Sequence, residues 1–205
     1  MKSNIYSKSV KFKNKSYGRI QVKQYHQDLI HIGSGRSACV FRIKDTNKVI
    51  KVFPPRFMNI AKEEAEIYQL LAHIPYYPTV YEYGPNYIVM EYVDGHTLFD
   101  CLNKGITISK EQIQDVDYIL SLAVQVGLNP SDIHLRNILI TADNKVKIID
   151  VARFKQEKNC QQWNDIRTAY FRYYNKRFFP KRIPQFILNM IAALYKNNLI
   201  PDSLK

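Results

Sequence analysis

A chain of 205 residues, 46% apolar and 13% aromatic, can bury a sizeable core, which excludes a disordered tail. Its net charge of +12 is concentrated at the two ends, and nothing spans a membrane, because the apolar run over 183–195 is broken by Pro184, Gln185 and Asn189. Cys39, Cys101 and Cys160 are an odd set without metal-ligand spacing, and with no signal peptide they read as reduced thiols of a cytoplasmic protein.

The N-terminal stretch carries Lys2, Lys8, Lys11, Lys13, Lys15, Arg19 and Lys23 before the first acid, Asp28. Alternation at Val10/Phe12 and Ile20/Val22 predicts an exposed strand pair with lysines on the wet face. Next, Ile32 to Val40 is a glycine-rich turn between apolar runs. Gly33-Ser34-Gly35 alone usually means a hairpin turn, but two glycines also let the backbone approach an anion with its amides. The run Val49 to Phe53 sets Lys51 among residues expected to be buried, although a lone strand lysine is more often exposed.

Pro54-Pro55 ends that strand, and Asn59 is the expected N-cap of a helix over Asn59–His73 carrying Glu63, Glu64 and Glu66. Counted from Glu64, the residues Ile67, Tyr68 and Leu71 form an apolar stripe at helical spacing, so Glu64 lies beside the face turned to the sheet. Glu63 or Glu66 could take that place if the register slipped, and all three could be surface acids. Gly84-Pro85-Asn86 turns the chain into a strand from Tyr87 that ends at Asp94-Gly95. A short helix is expected over Thr97–Asn103, and a capping box at Ser109/Gln112 opens a longer one that stops at Gly127.

The most informative stretch is Pro130 to Asp150. Asp132 and Asn137 precede the apolar Ile138-Leu139-Ile140, a polar turn over 141–144, and a second apolar run, Val146 to Ile149, that delivers Asp150. A hairpin there returns Asp150 to the mouth of the loop holding Asp132 and Asn137. One carboxylate can then orient a hydroxyl while Asn137 and Asp150 hold magnesium on a nucleotide, the acidic half of a phosphoryl-transfer site. Isolated Asp and Asn at this spacing usually mean loop chemistry; five elements in the right order do not.

In motif order and spacing the chain resembles the protein-kinase superfamily, from about Ile30 to Asp150. The resemblance implies an α+β, two-lobe fold: a single kinase-like domain over 1–205, with a β-rich N-lobe over 1–90 and the hinge and a shortened helical C-lobe over 91–205. It implies that Gly33, Ser34, Gly35 and Val40 cover ATP, and that Lys51, paired with Glu64, holds the α- and β-phosphates. Main-chain groups near Glu91 and Val93 would read adenine, with Met90 lining the pocket. Asp132 would accept or orient the hydroxyl proton, and Asn137 and Asp150 would hold Mg²⁺. The implied activity is ATP- and Mg²⁺-dependent transfer to a serine or threonine hydroxyl of a protein.

Several residues depart from the family pattern. Ala38 replaces the third glycine, and Val151-Ala152 follow Asp150 where Phe-Gly is usual. Pro130-Ser131 stand where His-Arg usually precede the aspartate, so no arginine is set to pair with an activation-loop phosphate. His134 replaces the usual lysine two residues after Asp132 and resembles small-molecule phosphotransferases of the aminoglycoside type; a structural histidine is the alternative. The 55 residues after Asp150 (205 − 150) resemble compact atypical kinases of the RIO and Bud32 type. A small-molecule kinase, or an ATPase or nucleotide switch acting through a partner, therefore stays open. Trp163 and Asp165 are candidates to anchor a helix beneath the catalytic loop. Between Arg167 and Arg182, basic residues interleave with Tyr170, Phe171, Tyr173, Tyr174, Phe178 and Phe179. That pattern suits nucleic acid or another polyanion, or else a packed aromatic core under a solvated basic face.

Overall fold

The computed structural model describes residues 2–13, 18–157, 160–197 and 199; Lys15, one of the N-terminal cations, lies outside them. The chain divides into two compact units, Met1–Val93 and Asp94–Lys205.

Unit 1 is built on a five-stranded antiparallel sheet: β3 (Leu29–Ser34), β4 (Cys39–Ile43), β5 (Lys48–Val52), β6 (Val80–Gly84) and β7 (Tyr87–Glu91), in the order β3-β4-β5-β7-β6. The central strands β5 and β7 read as almost continuous apolar runs because both their faces are covered. On one face Ile50, Val52, Tyr87 and Val89 join a core with Tyr6, Val10, Ile20 and Phe41. The other face carries Val49, Lys51, Ile88 and Met90, by strand alternation and by the pairing of Lys51 with Ile88 and Val49 with Met90.

A helix, α2 (Met58–Leu70), packs on β6 and β7 and buries Ala61, Glu64, Ala65, Ile67 and Tyr68. Its start differs from the expected cap at Asn59. A 3₁₀ turn, Pro55–Phe57, runs straight into the helix, so Asn59 lies inside the first turn and Phe57 occupies the cap without a side-chain bond. The cause is Pro55, whose fixed φ starts a helical turn earlier than the polar signal suggests. At the N-terminus the expected strand pair is present in short form, β1 (Lys11–Phe12) with β2 (Val22–Gln24), Phe12 opposite Val22. Ahead of it the chain forms a helix that no periodicity announces, α1 (Lys2–Ser9). Tertiary contacts hold it: Tyr6 is buried and its hydroxyl donates to Asp28 at 3.1 Å, while Ser3 donates to Glu82 at 2.6 Å.

Unit 2 places β8 (Gly95–Thr97) beside the hairpin β9 (Ile138–Thr141) and β10 (Val146–Ile148), in the order β10-β9-β8. The expected capping box at Ser109/Gln112 is made, and the short helix has one of its own. Thr97 and Asp100 start α3 (Leu98–Lys104), which ends at Gly105 in the left-handed region; Ser109 and Gln112 start α4 (Lys110–Gln125). On α4, Ile113, Val116, Ile119 and Ala123 are buried, each of the isoleucine and valine side chains worth about 1.5–3 kcal/mol relative to exposure. Beyond the hairpin come α5 (Gln162–Ala169), a π-helical turn over Tyr170–Tyr174, and α6 (Gln185–Lys196). Among the described residues no helix is long and apolar enough to cross a membrane.

Gly95 is fixed by a close approach: a Cβ there would lie 2.5 Å from the Ile140 carbonyl oxygen, a backbone atom of the neighbouring strand. Gly95→Ala should therefore destabilise the protein by about 1–3 kcal/mol, read as a lower urea midpoint at unchanged slope. An unchanged midpoint would mean that β8 can leave β9 at no cost.

Candidate active site

The glycine-rich segment is a hairpin between β3 and β4. Gly33 pairs with Val40 and Ser34 with Cys39, and the Gly35 amide closes the turn on the Ala38 carbonyl at 2.8 Å. Neither Gly33 nor Gly35 needs a positive φ, so conformation alone does not call for glycine there. What they provide is room, since a Cβ on Gly33 would meet nothing within 4 Å. Ser34 turns its hydroxyl back into the hairpin, 2.9 Å from His31 Nε2 and 3.3 Å from Cys39 Sγ. Cys39 is fully buried, and burial pushes its thiol up from the ordinary range.

Val40 lies opposite Lys51, and Lys51 opposite Ile88, so the three form one row across the sheet. Lys51 is 8% exposed and Glu64 is 0% exposed, and the ammonium meets Glu64 Oε1 at 2.7 Å. Of the three helix acids, Glu64 is thus the one turned to the sheet, because only its position shares the face of Ile67 and Tyr68. Met90 is buried on the same sheet face as Lys51. The amide of Glu91 donates to the Thr79 carbonyl at 2.8 Å, and Val93 is the last residue of unit 1.

In unit 2 the hairpin β9–β10 has the expected register, Ile138 opposite Ile148. Asn137, just before β9, is buried and takes part in three bonds that shape the loop. Its amide donates to the His134 carbonyl at 2.8 Å, its side-chain Nδ2 to the Asp132 carbonyl at 3.1 Å, and its own carbonyl accepts from Ile149 at 2.8 Å. Asp150 therefore follows directly on a residue bonded to Asn137. Asp132 (φ 60°) and Asp150 (φ 62°) both occupy the left-handed region. Asp45 and Asn144 share that conformation, but each sits in a hairpin turn that calls for it. At Asp132 and Asp150 no hairpin turn does, and such backbone strain gathers at functional sites. With Nδ2 committed, Asn137 Oδ1 is the atom left to act as a hard-cation ligand, and the exposed Asp150 follows the residue bonded to the Asn137 carbonyl.

His134 takes a local role: its Nδ1 accepts from the Arg136 amide at 3.3 Å. Arg136 stacks over Phe99 at 3.3 Å and donates to Asn189 of α6 at 3.1 Å. Trp163 and Asp165 do anchor a helix, through α4 and α6. Trp163 Nε1 and Arg167 Nε each donate to Asp117 of α4 at 2.7 Å, and Tyr195 of α6 donates to Asp165 at 2.6 Å. Burial, then Asp165, pushes the Tyr195 hydroxyl well above its ordinary range. Asp117 escaped the sequence reading because its partners lie 46 and 50 residues away. In the basic–aromatic segment, Tyr170 and Tyr174 are core: the Tyr170 hydroxyl donates to the Ile108 carbonyl and the Tyr174 hydroxyl accepts from the Ile108 amide. Those two rings are not open to stack on nucleic-acid bases.

The family model for the protein kinase domain matches residues 26–173. A Bacillus subtilis (strain 168) protein bearing the provisional name serine/threonine-protein kinase YrzF is 48% identical over 180 residues, covering 87% of this chain and 84% of its own. Serine/threonine-protein kinase PknB of Mycolicibacterium smegmatis (strain ATCC 700084 / mc(2)155) is 36% identical over 108 residues, 47% of this chain but 17% of that one. The chain belongs to the protein kinase family, and it is an ATP-dependent kinase with an α+β kinase fold.

Removing one partner of a buried pair costs more than removing both. Lys51→Met strips a fully buried carboxylate of its lysine and should cost about 3 kcal/mol in urea unfolding, while Lys51→Met/Glu64→Leu should cost less than the sum of the single changes. Strict additivity would show that the two side chains are not energetically coupled.

Proposed function

We propose that this kinase transfers the γ-phosphoryl group of ATP, with Mg²⁺, to a serine or threonine hydroxyl of a protein. The observation that carries the reading is the loop closed by Asn137, which holds Asp132 and Asp150 in strained, defined backbone positions at either end of one hairpin. The YrzF-like relative, at 48% identity over most of both chains, supports the choice of hydroxyl acceptor.

Asp132 orients the acceptor hydroxyl and takes its proton as the hydroxyl oxygen bonds to the γ-phosphorus. The bond from that phosphorus to the β,γ-bridging oxygen breaks, and ADP leaves. Lys51, held straight by Glu64, places the α- and β-phosphates, and the open backbone at Gly33 and Gly35 lets amides approach them. Val40 and Met90 line the adenine, and the Glu91 carbonyl with the Val93 main chain reads its edge. Asn137 Oδ1 and Asp150 are the residues that would hold Mg²⁺, which supplies charge neutralisation on the phosphates when bound. Among the described residues no three His, Cys, Asp or Glu side chains converge; an ion that keeps waters and phosphate oxygens as ligands needs no such cage. All three cysteines are free thiols, with Cys39 and Cys101 buried, which supports a reducing, cytoplasmic setting.

The bond that His134 makes within its own loop favours a positioning role over contact with a small-molecule acceptor. Incubating the pure protein with γ-labelled ATP separates the acceptors. Label on the protein itself or on generic protein substrates is expected; label only on an added aminoglycoside, or only as free phosphate, would overturn the assignment.

Asp132→Asn keeps a residue suited to its left-handed backbone, so the loop should survive. Nucleotide affinity should stay within about twofold while turnover falls by about 10²–10⁴, the range for losing a positioned base. Asp150→Asn should instead lose the Mg²⁺ dependence of nucleotide binding in a fluorescence titration. Wild-type turnover in either variant would remove the corresponding role.

A further inference from the structure

The last described helix is apolar on two sides. Its inner side is anchored in unit 2: Leu188 is buried, Tyr195 is bonded to Asp165 and Asn189 to Arg136. Phe186, Met190 and Leu194, spaced at i, i+4 and i+8, lie in one row along the outer side and are 71%, 53% and 37% exposed, with Ile191 beside them at 45%. Scattered exposed apolar residues need no explanation, but a contiguous row on one helix marks an interaction surface. The loop before α6 adds Phe178, 94% exposed, between Lys176-Arg177 and Lys181-Arg182.

The charge around this row restricts what can cover it. From Arg167 to Lys196 the chain has no acidic residue, and Arg172, Lys176, Arg177, Arg182 and Lys196 are exposed. A second copy of the chain would bring those cations against its own, so self-association through this face is opposed by like charge. Nucleic acid would meet the cations but leave the aliphatic row of Met190, Ile191 and Leu194 unsatisfied, while the buried Tyr170 and Tyr174 cannot stack on bases. An apolar row on the outer side of a helix, flanked along the chain by exposed cations and an exposed aromatic, fits a flat surface that is anionic outside and apolar beneath.

We propose that α6 and the Phe178 loop form a docking face for an anionic lipid bilayer, on which unit 2 rests without crossing. The outer row of α6 enters the headgroup–acyl boundary, and the flanking lysines and arginines meet the lipid phosphates. The docking is independent of the phosphoryl-transfer residues, none of which lies on this helix.

The test is co-sedimentation of the full chain with vesicles of phosphatidylcholine alone and of a phosphatidylcholine–phosphatidylglycerol mixture, at low and high salt. The chain should bind the mixed vesicles only, and more weakly as salt rises. The triple change Phe186→Asn/Met190→Asn/Leu194→Asn should lower the partition coefficient by at least roughly tenfold. Because these side chains are largely exposed, its urea midpoint should fall only by what three asparagines cost in helix propensity, leaving the variant folded. Lys176→Gln/Arg177→Gln should flatten the salt dependence. No binding of the unaltered chain to mixed vesicles would overturn the proposal, as would undiminished binding by a folded triple variant. So would a concentration-dependent dimer that the triple change abolishes.

Discussion

The side chain of Asn137 is the constraint on which the loop before β9 depends. It is buried at the foot of β9 and donates to the carbonyl of the loop's first residue, Asp132, while the Asn137 main chain bonds the turn at His134 and Ile149, just past β10. Leaving a buried donor or acceptor unmatched costs about 1–3 kcal/mol each. Holding two aspartates in the left-handed region costs about 1–2 kcal/mol each. The two costs are of the same order, and the Asn137 bonds are what the structure sets against the strain in this loop. The same side chain divides its labour: Nδ2 is committed to the Asp132 carbonyl, and Oδ1 is the atom left to face a cation.

In unit 1 the corresponding constraint is the alternation of β5. Ile50 and Val52 enter the core shared with α1, which obliges Lys51 to point to the opposite face, toward α2. A lysine so placed needs an acid, and Glu64 supplies it at 2.7 Å. Such a pair is poor evidence for stability, because desolvating both charges cancels most of their attraction and a pair of well-packed apolar residues serves a fold as well. Its presence between a sheet and a helix that are otherwise apolar there points to selection for the charge itself, a fixed ammonium in a defined place.

Much of this was legible because it is local. The capping box at Ser109/Gln112, the short helix from about Thr97 and the β9–β10 hairpin are each specified within a few residues, and all are found. Glu64 was legible because helical spacing from Ile67 and Tyr68 assigns it to the sheet face. What escaped notice depends on distant partners. The stretch forming α1 carries no apolar periodicity and is helical because Tyr6 and Ser3 reach Asp28 and Glu82. Asp117 is unremarkable in sequence until Trp163 and Arg167 converge on it. The aromatic–basic stretch was ambiguous for the same reason, and Ile108, more than sixty residues upstream, decides that Tyr170 and Tyr174 are core. At the start of α2 the polar cap signal of Asn59 competes with Pro55, and the proline's fixed φ prevails.

The division of labour at Asn137 is tested most directly by Asn137→Asp, which keeps an oxygen ligand but replaces the donated bond to the Asp132 carbonyl by repulsion. Mn²⁺–nucleotide affinity, followed by electron paramagnetic resonance, should be retained, while turnover falls by about 10²-fold or more as the loop loses its geometry. Turnover at the wild-type level would contradict the claim that this bond holds the loop in working form. A loss of Mn²⁺ affinity as large as that caused by Asn137→Ala would contradict the assignment of Oδ1 as a ligand.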